Sequence, residues 1–324
     1  MREHFALDPC GFAVEKQGPL KTLPSLLFTL ALSGLGSLGA PAADAPAGSP
    51  DFGRHDFIEY TAGDLPIVIS APHGGREKPD EIPSRTTGVL DIDTNTQELA
   101  RAVEAELRAR TGRKPHVVIC RLHRSKLDCN REIVEAAAGS AVAETAWTEY
   151  HGFIEKACAT AVAKYGRAFY LDLHGHGHKY ARLELGYLHS AETLALPDAE
   201  LNTPATIAAG SIRLLAAQSK RPYVELLRGP RSLGSLFEAQ GFPATPSPAH
   251  PTPAVPFFNG GYSVRRHTAE GGKVAGLQIE CNLKGVRDTA ENRERFARAL
   301  VTVLDTYLAE HWDLKLNARP AAAR

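Results

Sequence analysis

The sequence lacks an excess of charge of either sign. Its 324 residues carry 37 Lys and Arg against 37 Asp and Glu. Proteins that bind nucleic acid or a membrane surface through charge usually show a basic patch or a basic balance. We therefore expect neither nucleic acid nor, once the leader described below is removed, a membrane as a partner.

Two further patterns are absent, a CxxC pair and an internal repeat. A CxxC pair is typical of thiolate zinc sites, so a site of that kind is not expected. In an exported protein, four of the five cysteines could form disulfides, and four cysteines allow three pairings between which the sequence does not choose. These four are Cys120, Cys129, Cys158 and Cys281. The composition, 43% hydrophobic and 23% charged, is that of a globular protein with one large core or two smaller ones.

A hydrophobic run long enough to span a membrane is also missing. The most apolar stretch, TLPSLLFTLALSGLGSLGA after Lys21, is short and rich in glycine. A basic residue, an apolar run and the small residues of GAPAADAPAGSP follow the order of a signal peptide, cleaved near Ala40–Ala43. A start codon further into the chain would shorten this leader, and an unstructured extension is the alternative. We expect export to the periplasm or the exterior, with a signal peptide at 1–43, a linker at 44–56, one domain at 57–312 and a disordered tail at 313–324.

Predicted strands and helices alternate along the domain. The strands are predicted at 65–72, 116–122, 168–173, 181–188 and 276–282. The helices are predicted at 94–112, 132–165, 206–219, 232–241 and 288–311. This order predicts an α/β fold with a mixed, largely parallel central sheet and helices on both faces. Functional sites in such sheets form at the carboxyl ends of strands.

Histidines follow two of these strands. His73 comes after the first, in SAPHGG, and His174 comes after the third, in LDLHGHGH. Asp93, at the start of the first helix, offers a carboxylate, and Glu77 is the competing choice. Two histidines, one carboxylate and an open position are typical of a catalytic zinc site. Asp172 could orient His174 from behind.

Polar side chains also follow the second strand and interrupt the last one. Arg124, Asn130 and Arg131 lie in RLHRSKLDCNRE, where arginine can pair with a carboxylate and asparagine can support it. Glu280 is the acid of the apolar strand GLQIECN and could serve as a general base. His176 could contact substrate, support a ligand or face solvent.

The ordered set SAPHGG, DIDTNTQELA, RSKLDCNR, LDLHGHGH and LQIECN resembles the N-formylglutamate amidohydrolase family over roughly residues 57–310. That family is similar to the zinc carboxypeptidase-like (phosphorylase/hydrolase-like) fold. The resemblance favours Asp93 over Glu77, whose spacing from His73 is one residue longer than in the carboxypeptidase motif. The implied roles are one Zn²⁺ on His73, Asp93 and His174, a substrate carboxylate held by Asn130 and Arg131 with His176 on the substrate side, carbonyl polarisation by Arg124, and proton transfer by Glu280, first as base and then as acid.

These residues predict a zinc-dependent hydrolase of C–N amide bonds. The expected substrate is a small molecule or peptide with a carboxylate, such as an N-acyl amino acid like N-formylglutamate, or a peptide or γ-glutamyl end. Two other hypotheses remain open: an exported, non-catalytic protein that binds a metal or an anion, and a two-metal phosphoesterase.

Overall fold

A computed structural model describes residues 50–316, so the expected signal peptide, the first six residues of the expected linker and most of the expected tail lie outside them. Within these residues one eight-stranded sheet forms the centre of the fold, in the order β1-β2-β4-β3-β5-β8-β6-β7. The strands are β1 Asp51–Phe52, β2 Ile58–Thr61, β3 Ile67–Ala71, β4 His116–Cys120, β5 Ala168–His176, β6 Leu183–Gly186, β7 Ala244–Thr245 and β8 Val274–Asn282. The four central strands β4, β3, β5 and β8 are parallel, whereas β2 and β6 run antiparallel to their inner neighbours. The predicted mixed, largely parallel sheet is confirmed.

Helices cover both faces of the sheet, also as predicted. They are α1 Thr96–Thr111, α2 Ile133–Ala137, α3 Ala141–Tyr165, α4 Ala191–Leu194, α5 Asp198–Leu201, α6 Pro204–Ala209, α7 Arg213–Gln218, α8 Tyr223–Arg228, α9 Leu233–Ala239, α10 Tyr262–His267 and α11 Ala290–Trp312. On one face α1 and α11 pack against Leu171 and Leu277 of the sheet. On the other face α3 and α10 pack against Val68 and Tyr170. Two separate apolar cores therefore enclose the sheet.

Side chains of strand β5 point alternately to the two faces of the sheet, and this alternation places the polar ones of the candidate site. Leu171 and Leu173 belong to the core under α1 and α11, whereas Tyr170 belongs to the core under α3. Successive side chains of a strand point to opposite faces. Asp172 and His174 therefore share the face of Tyr170, further along the strand. A polar group is thus placed on the sheet beyond the apolar cover of that face.

The sequence-based boundaries were wrong at three elements. The helix predicted at 132–165 is two helices, because Ala138 and Gly139 adopt left-handed conformations with φ of 49° and 81°. Ser140 then caps α3 by accepting a hydrogen bond from the Ala143 amide. The helix predicted at 206–219 is likewise divided around Gly210 into α6 and α7. Strand β5 extends to His176, so His174 lies inside the strand instead of after it.

The four cysteines of the described chain are free and buried. Among residues 50–316, no helix combines the length and the apolar character that crossing a bilayer requires.

Candidate metal centre

His73, Asp93 and His174 converge although they are far apart in the sequence. His73 follows β3, Asp93 lies just before α1, and His174 lies in β5. One ligand atom from each lies within 4.8 Å of the other two. Nδ1 of His73 is 3.4 Å from Asp93 Oδ2, and Nδ1 of His174 is 3.2 Å from the same oxygen. All three residues are buried, with at most 7% of their surface exposed.

A carboxylate backs each imidazole on the side away from this cluster. His73 Nε2 donates to Asp128 Oδ1 at 2.7 Å, and His174 Nε2 donates to Asp172 Oδ2 at 2.9 Å. Ser70 Oγ in turn donates to Asp172 Oδ1 at 2.6 Å. When Nε2 carries the only ring proton, as it must in a metal-bound ring, Nδ1 of each imidazole presents a lone pair to the centre of the cluster. A carboxylate behind a histidine is the usual support of a metal ligand, because it fixes the ring and raises its basicity.

The carboxylates in and around the cluster favour positive charge at its centre. Burial alone would lower the pKa of His174, but the carboxylates of Asp172 and Asp93 outweigh it and raise that pKa well above its ordinary value. Burial alone would raise the pKa of Asp93, but His174 and His73 hold it well below its usual range. Nδ1 of His73 is buried without a hydrogen-bond partner among the described residues. Two imidazole nitrogens and a carboxylate oxygen around one point fit a zinc ion with an open position.

Glu280 stands next to this cluster because of the strand register. It lies directly opposite His174 in the β5–β8 pairing, and its Oε1 is 4.0 Å from His174 Nδ1. Gln278 Nε2 donates to Oε1 at 2.8 Å, while Oε2 is buried without a partner in the described chain. Burial raises the pKa of Glu280 to about 8 despite the opposing effect of His174, and the charges of Asp93 and Glu184 add to the rise. One carboxylate oxygen is thus free to accept a proton.

Arg124 lies between the carboxylate of Asp93, which belongs to the cluster, and that of Asp128, which backs His73. Its Nε donates to Asp128 Oδ2 at 3.0 Å, and its Nη1 lies 3.5 Å from Asp93 Oδ1. Arg124 and Glu280 line the same cleft of about 530 Å³ as the three candidate ligands. The cleft is therefore polar at its floor.

The residues expected to hold a substrate carboxylate are already engaged within the protein. Asn130 Oδ1 accepts from the Ser263 amide at 2.9 Å, and its Nδ2 donates to Gln278 Oε1 at 3.4 Å. Arg131 lies at the cleft edge, where its Nε donates to Glu135 Oε1 at 3.2 Å. Arg131 is therefore the more accessible of the two predicted contacts.

His176 and Glu77 lie near the cluster but not in it. His176 lines the cleft, its Nε2 donates to the Arg182 carbonyl at 2.8 Å, and its Nδ1 accepts from the His178 amide at 3.1 Å. Both ring nitrogens are therefore occupied. Glu77, the alternative carboxylate, pairs instead with Arg121 at 2.6 Å.

Sequence reasoning gave no role to several residues that build the centre. Asp128 lies in the loop after β4 and meets His73 only through folding, since 55 residues separate them. Ser70 lies opposite Asp172 in the β3–β5 register, and Gln278 lies two residues before Glu280 on the same face. The alternation along the strands could have identified Ser70 and Gln278, whereas nothing in the sequence indicated the partner of Asp128.

No family model and no curated protein sequence matches the chain. Among solved structures, it is similar to the gene product Atu2144 from Agrobacterium tumefaciens, with 13% identity, 78% of this chain and 93% of that chain covered, and a TM-score of 0.49. It is similar to N-formylglutamate amidohydrolase from Ralstonia eutropha JMP134, with 13% identity, coverage of 79% and 97%, and a TM-score of 0.48. For the N-acetylmuramyl-L-alanine amidase Ami1 from Mycobacterium smegmatis, the identity is 15%, the coverage 75% and 96%, and the TM-score 0.34.

Proposed function

We propose that the protein is a zinc-dependent hydrolase of C–N amide bonds in substrates that carry a carboxylate. The observation that carries the proposal is the pair of carboxylate-backed imidazoles whose Nδ1 atoms face Asp93, with Glu280 beside them. The choice of an amide bond rests on the resemblance of the sequence motifs to the N-formylglutamate amidohydrolase family. N-acyl amino acids such as N-formylglutamate, or peptide and γ-glutamyl ends, are the proposed substrates.

The roles of the residues follow from their positions. Zinc on His73, Asp93 and His174 would act as a Lewis acid and lower the pKa of a bound water. Glu280 takes a proton from the water that attacks the carbonyl carbon, because its Oε2 has no other partner. Arg124, in the cleft wall, donates to the oxygen on which negative charge develops.

Arg131 is the proposed contact for the carboxylate of the substrate. Its guanidinium now pairs with Glu135 at the protein surface, and an exposed ion pair of this kind is worth at most about 1 kcal/mol. A bidentate bond to a substrate carboxylate can therefore replace it. Asn130 and His176 would shape the wall beside it, since their polar atoms are already bonded within the protein.

Metal analysis together with Glu280→Gln tests the proposal. We expect wild-type protein to hold one zinc ion per chain and to hydrolyse members of a panel of N-acyl amino acids and short peptides. Glu280→Gln should keep the zinc and lose the hydrolysis by about 10²–10⁴-fold, the usual contribution of a general base. Unchanged turnover would refute the assigned role of Glu280.

Two matched carboxylate variants locate the metal. Asp93→Asn should lose zinc, whereas Glu77→Gln should keep both zinc and activity because Glu77 pairs with Arg121 outside the cluster. Zinc binding without hydrolysis of any compound would favour a non-catalytic binding protein. Two ions per chain with phosphoesterase activity would favour the two-metal alternative.

The N-terminal pattern supports export as part of this proposal, and secretion of a fusion of residues 1–56 to a reporter would test it.

A further inference from the structure

His178 forms a second imidazole–carboxylate pair in the cleft. Its Nδ1 donates to Glu184 Oε1 at 2.9 Å, and the other oxygen of Glu184 accepts from the Phe258 amide at 2.9 Å. Glu184 is fully buried, and the imidazole of His178 stacks on the Phe258 ring at 4.7 Å. The orientation of the His178 ring is thus fixed on two sides.

This pair belongs to the same face of the sheet as the metal centre. Glu184 of β6 lies directly opposite Glu280 of β8, which in turn lies opposite His174 of β5. Residues directly opposite each other on neighbouring strands point to the same face. His178 lines the same cleft as the three candidate ligands. Within residues 50–316 its Nε2 has no hydrogen-bond partner, so this atom is available to a molecule in the cleft.

A second metal ion is the competing explanation, because ligand atoms of His176, His178 and Glu184 lie within 4.8 Å of one another. Both nitrogens of His176 are already used, one by the Arg182 carbonyl and one by the His178 amide. Binding a metal there would break one of these bonds. A histidine with one nitrogen held by a buried carboxylate and the other free has instead the arrangement of an acid–base catalyst.

We propose that His178 is the catalytic acid of the hydrolysis and that Glu184 is its positioning residue; this inference rests on the proposed function. As the C–N bond breaks, its electron pair passes to the leaving nitrogen, which takes the proton from Nε2 of the His178 imidazolium. The new C–O bond comes from the water whose proton Glu280 accepts. Glu280 then returns that proton through solvent to His178. The two proton transfers are thereby divided between two residues, instead of both falling to Glu280.

Dependence on the leaving group tests this division. An amine must be protonated to leave, whereas 4-nitrophenol leaves as the anion. We compare an amide from the substrate panel with the 4-nitrophenyl ester of the same acyl group. His178→Gln should lower kcat/KM for the amide by about 10²–10⁴-fold and leave the ester within about threefold of wild type. Glu184→Gln should show the same selective loss to a smaller extent. His250→Gln, at an exposed position, is the matched control and should change neither reaction.

Each other outcome has a definite meaning. Equal losses for amide and ester, or no loss for either, overturn the role of His178. Loss of a bound zinc ion in His178→Gln also overturns it, because the residue would then be a ligand. Wild-type protein that hydrolyses neither compound overturns the proposed function, and the role of His178 with it. A wild-type enzyme whose His178 variant behaves normally overturns the role of His178 alone.

Discussion

Replacing Asp128 by asparagine tests the support of the metal centre directly. Asp128 Oδ1 accepts from His73 Nε2, and Oδ2 accepts from Arg124 Nε. Asparagine keeps one acceptor but places an NH₂ donor opposite one of these two N–H groups. Either His73 loses its fixed orientation or Arg124 loses its partner. Burial alone would raise the pKa of Asp128, but the contact with His73 and the charge of Arg124 hold that pKa well below its usual range, so the lost group is a carboxylate at neutral pH.

The expected size of the effect follows from these contacts. Loss of a carboxylate behind a metal-binding histidine weakens metal affinity by about 10–100-fold, or about 1.4–2.8 kcal/mol. The metal-free protein should also lose stability, because the Asp128 carboxylate pairs with two arginines. The buried guanidinium of Arg85 lies 3.7 Å from Asp128 Oδ2, and Arg124 Nε lies 3.0 Å from the same oxygen. Breaking a buried ion pair costs about 3–5 kcal/mol, and the amide oxygen that remains reduces this loss.

Two measurements on the metal-free protein separate these effects. Competition with a zinc-binding indicator dye gives the affinity, and urea unfolding gives the free energy of unfolding. Asp172→Asn is the matched control, since Asp172 supports His174 and is bonded to Ser70, and no arginine of the described chain pairs with it. We expect a similar loss of affinity with a smaller loss of stability. A folded Asp128→Asn protein that binds zinc as tightly as wild type would refute the reasoning.

Three further outcomes are expected. Removal of metal by a chelator should abolish hydrolysis and lower the stability by about 2.7 kcal/mol relative to protein with zinc at 100 times its dissociation constant, and added Zn²⁺ should restore both. Burial lowers the pKa of His116 to about 4. The neutral imidazole therefore contributes its full stability above the unfolded pKa near 6.5, and the free energy of unfolding should fall by about 2 kcal/mol between pH 7 and pH 5 because of this residue. Urea unfolding at both pH values should show a smaller decrease in His116→Gln. Gly175→Ala should lower the free energy of unfolding by about 1–3 kcal/mol, because the new Cβ would collide with the Arg287 guanidinium, which is buried and held by the carbonyls of Cys281 and Thr94. Gly177→Ala, whose Cβ meets nothing within 4 Å, should change it by less than about 0.5 kcal/mol.

The order of strands and helices was predictable because it depends on local pattern. The apolar runs of β3 and β4 and the capped helix α11 were found close to their observed bounds. The end of β5 was missed because its glycines and histidines have the composition of a loop, whereas pairing with β8 keeps the chain extended to His176. The break before α3 was missed although Gly139 and Ser140 are typical of a helix boundary.

The candidate site was predictable only in part, for a related reason. His73 and His174 could be proposed because each follows an apolar run that predicts a strand. The carboxylates that back the two histidines differ in how far they lie from them in the sequence. Asp172 is two residues from His174 and could be proposed from strand alternation. Asp128 reaches His73 through the path of the loop after β4, and no local pattern encodes that path.

The row formed by His174, Glu280 and Glu184 makes the spacing of these side chains independent of the residues at the rim of the cleft, which would select the substrate. Backbone hydrogen bonds hold neighbouring strands about 4.8 Å apart, so the spacing of these three side chains is inherited from the sheet. The rim of the cleft at Val89 is built differently, since this residue lies in a segment outside the helices and strands and is about half exposed. Mutations at this part of the rim can change which substrates fit while the spacing of these three side chains stays constant. For the proposed hydrolase, substrate selectivity can thus change while the proposed catalytic groups keep their places.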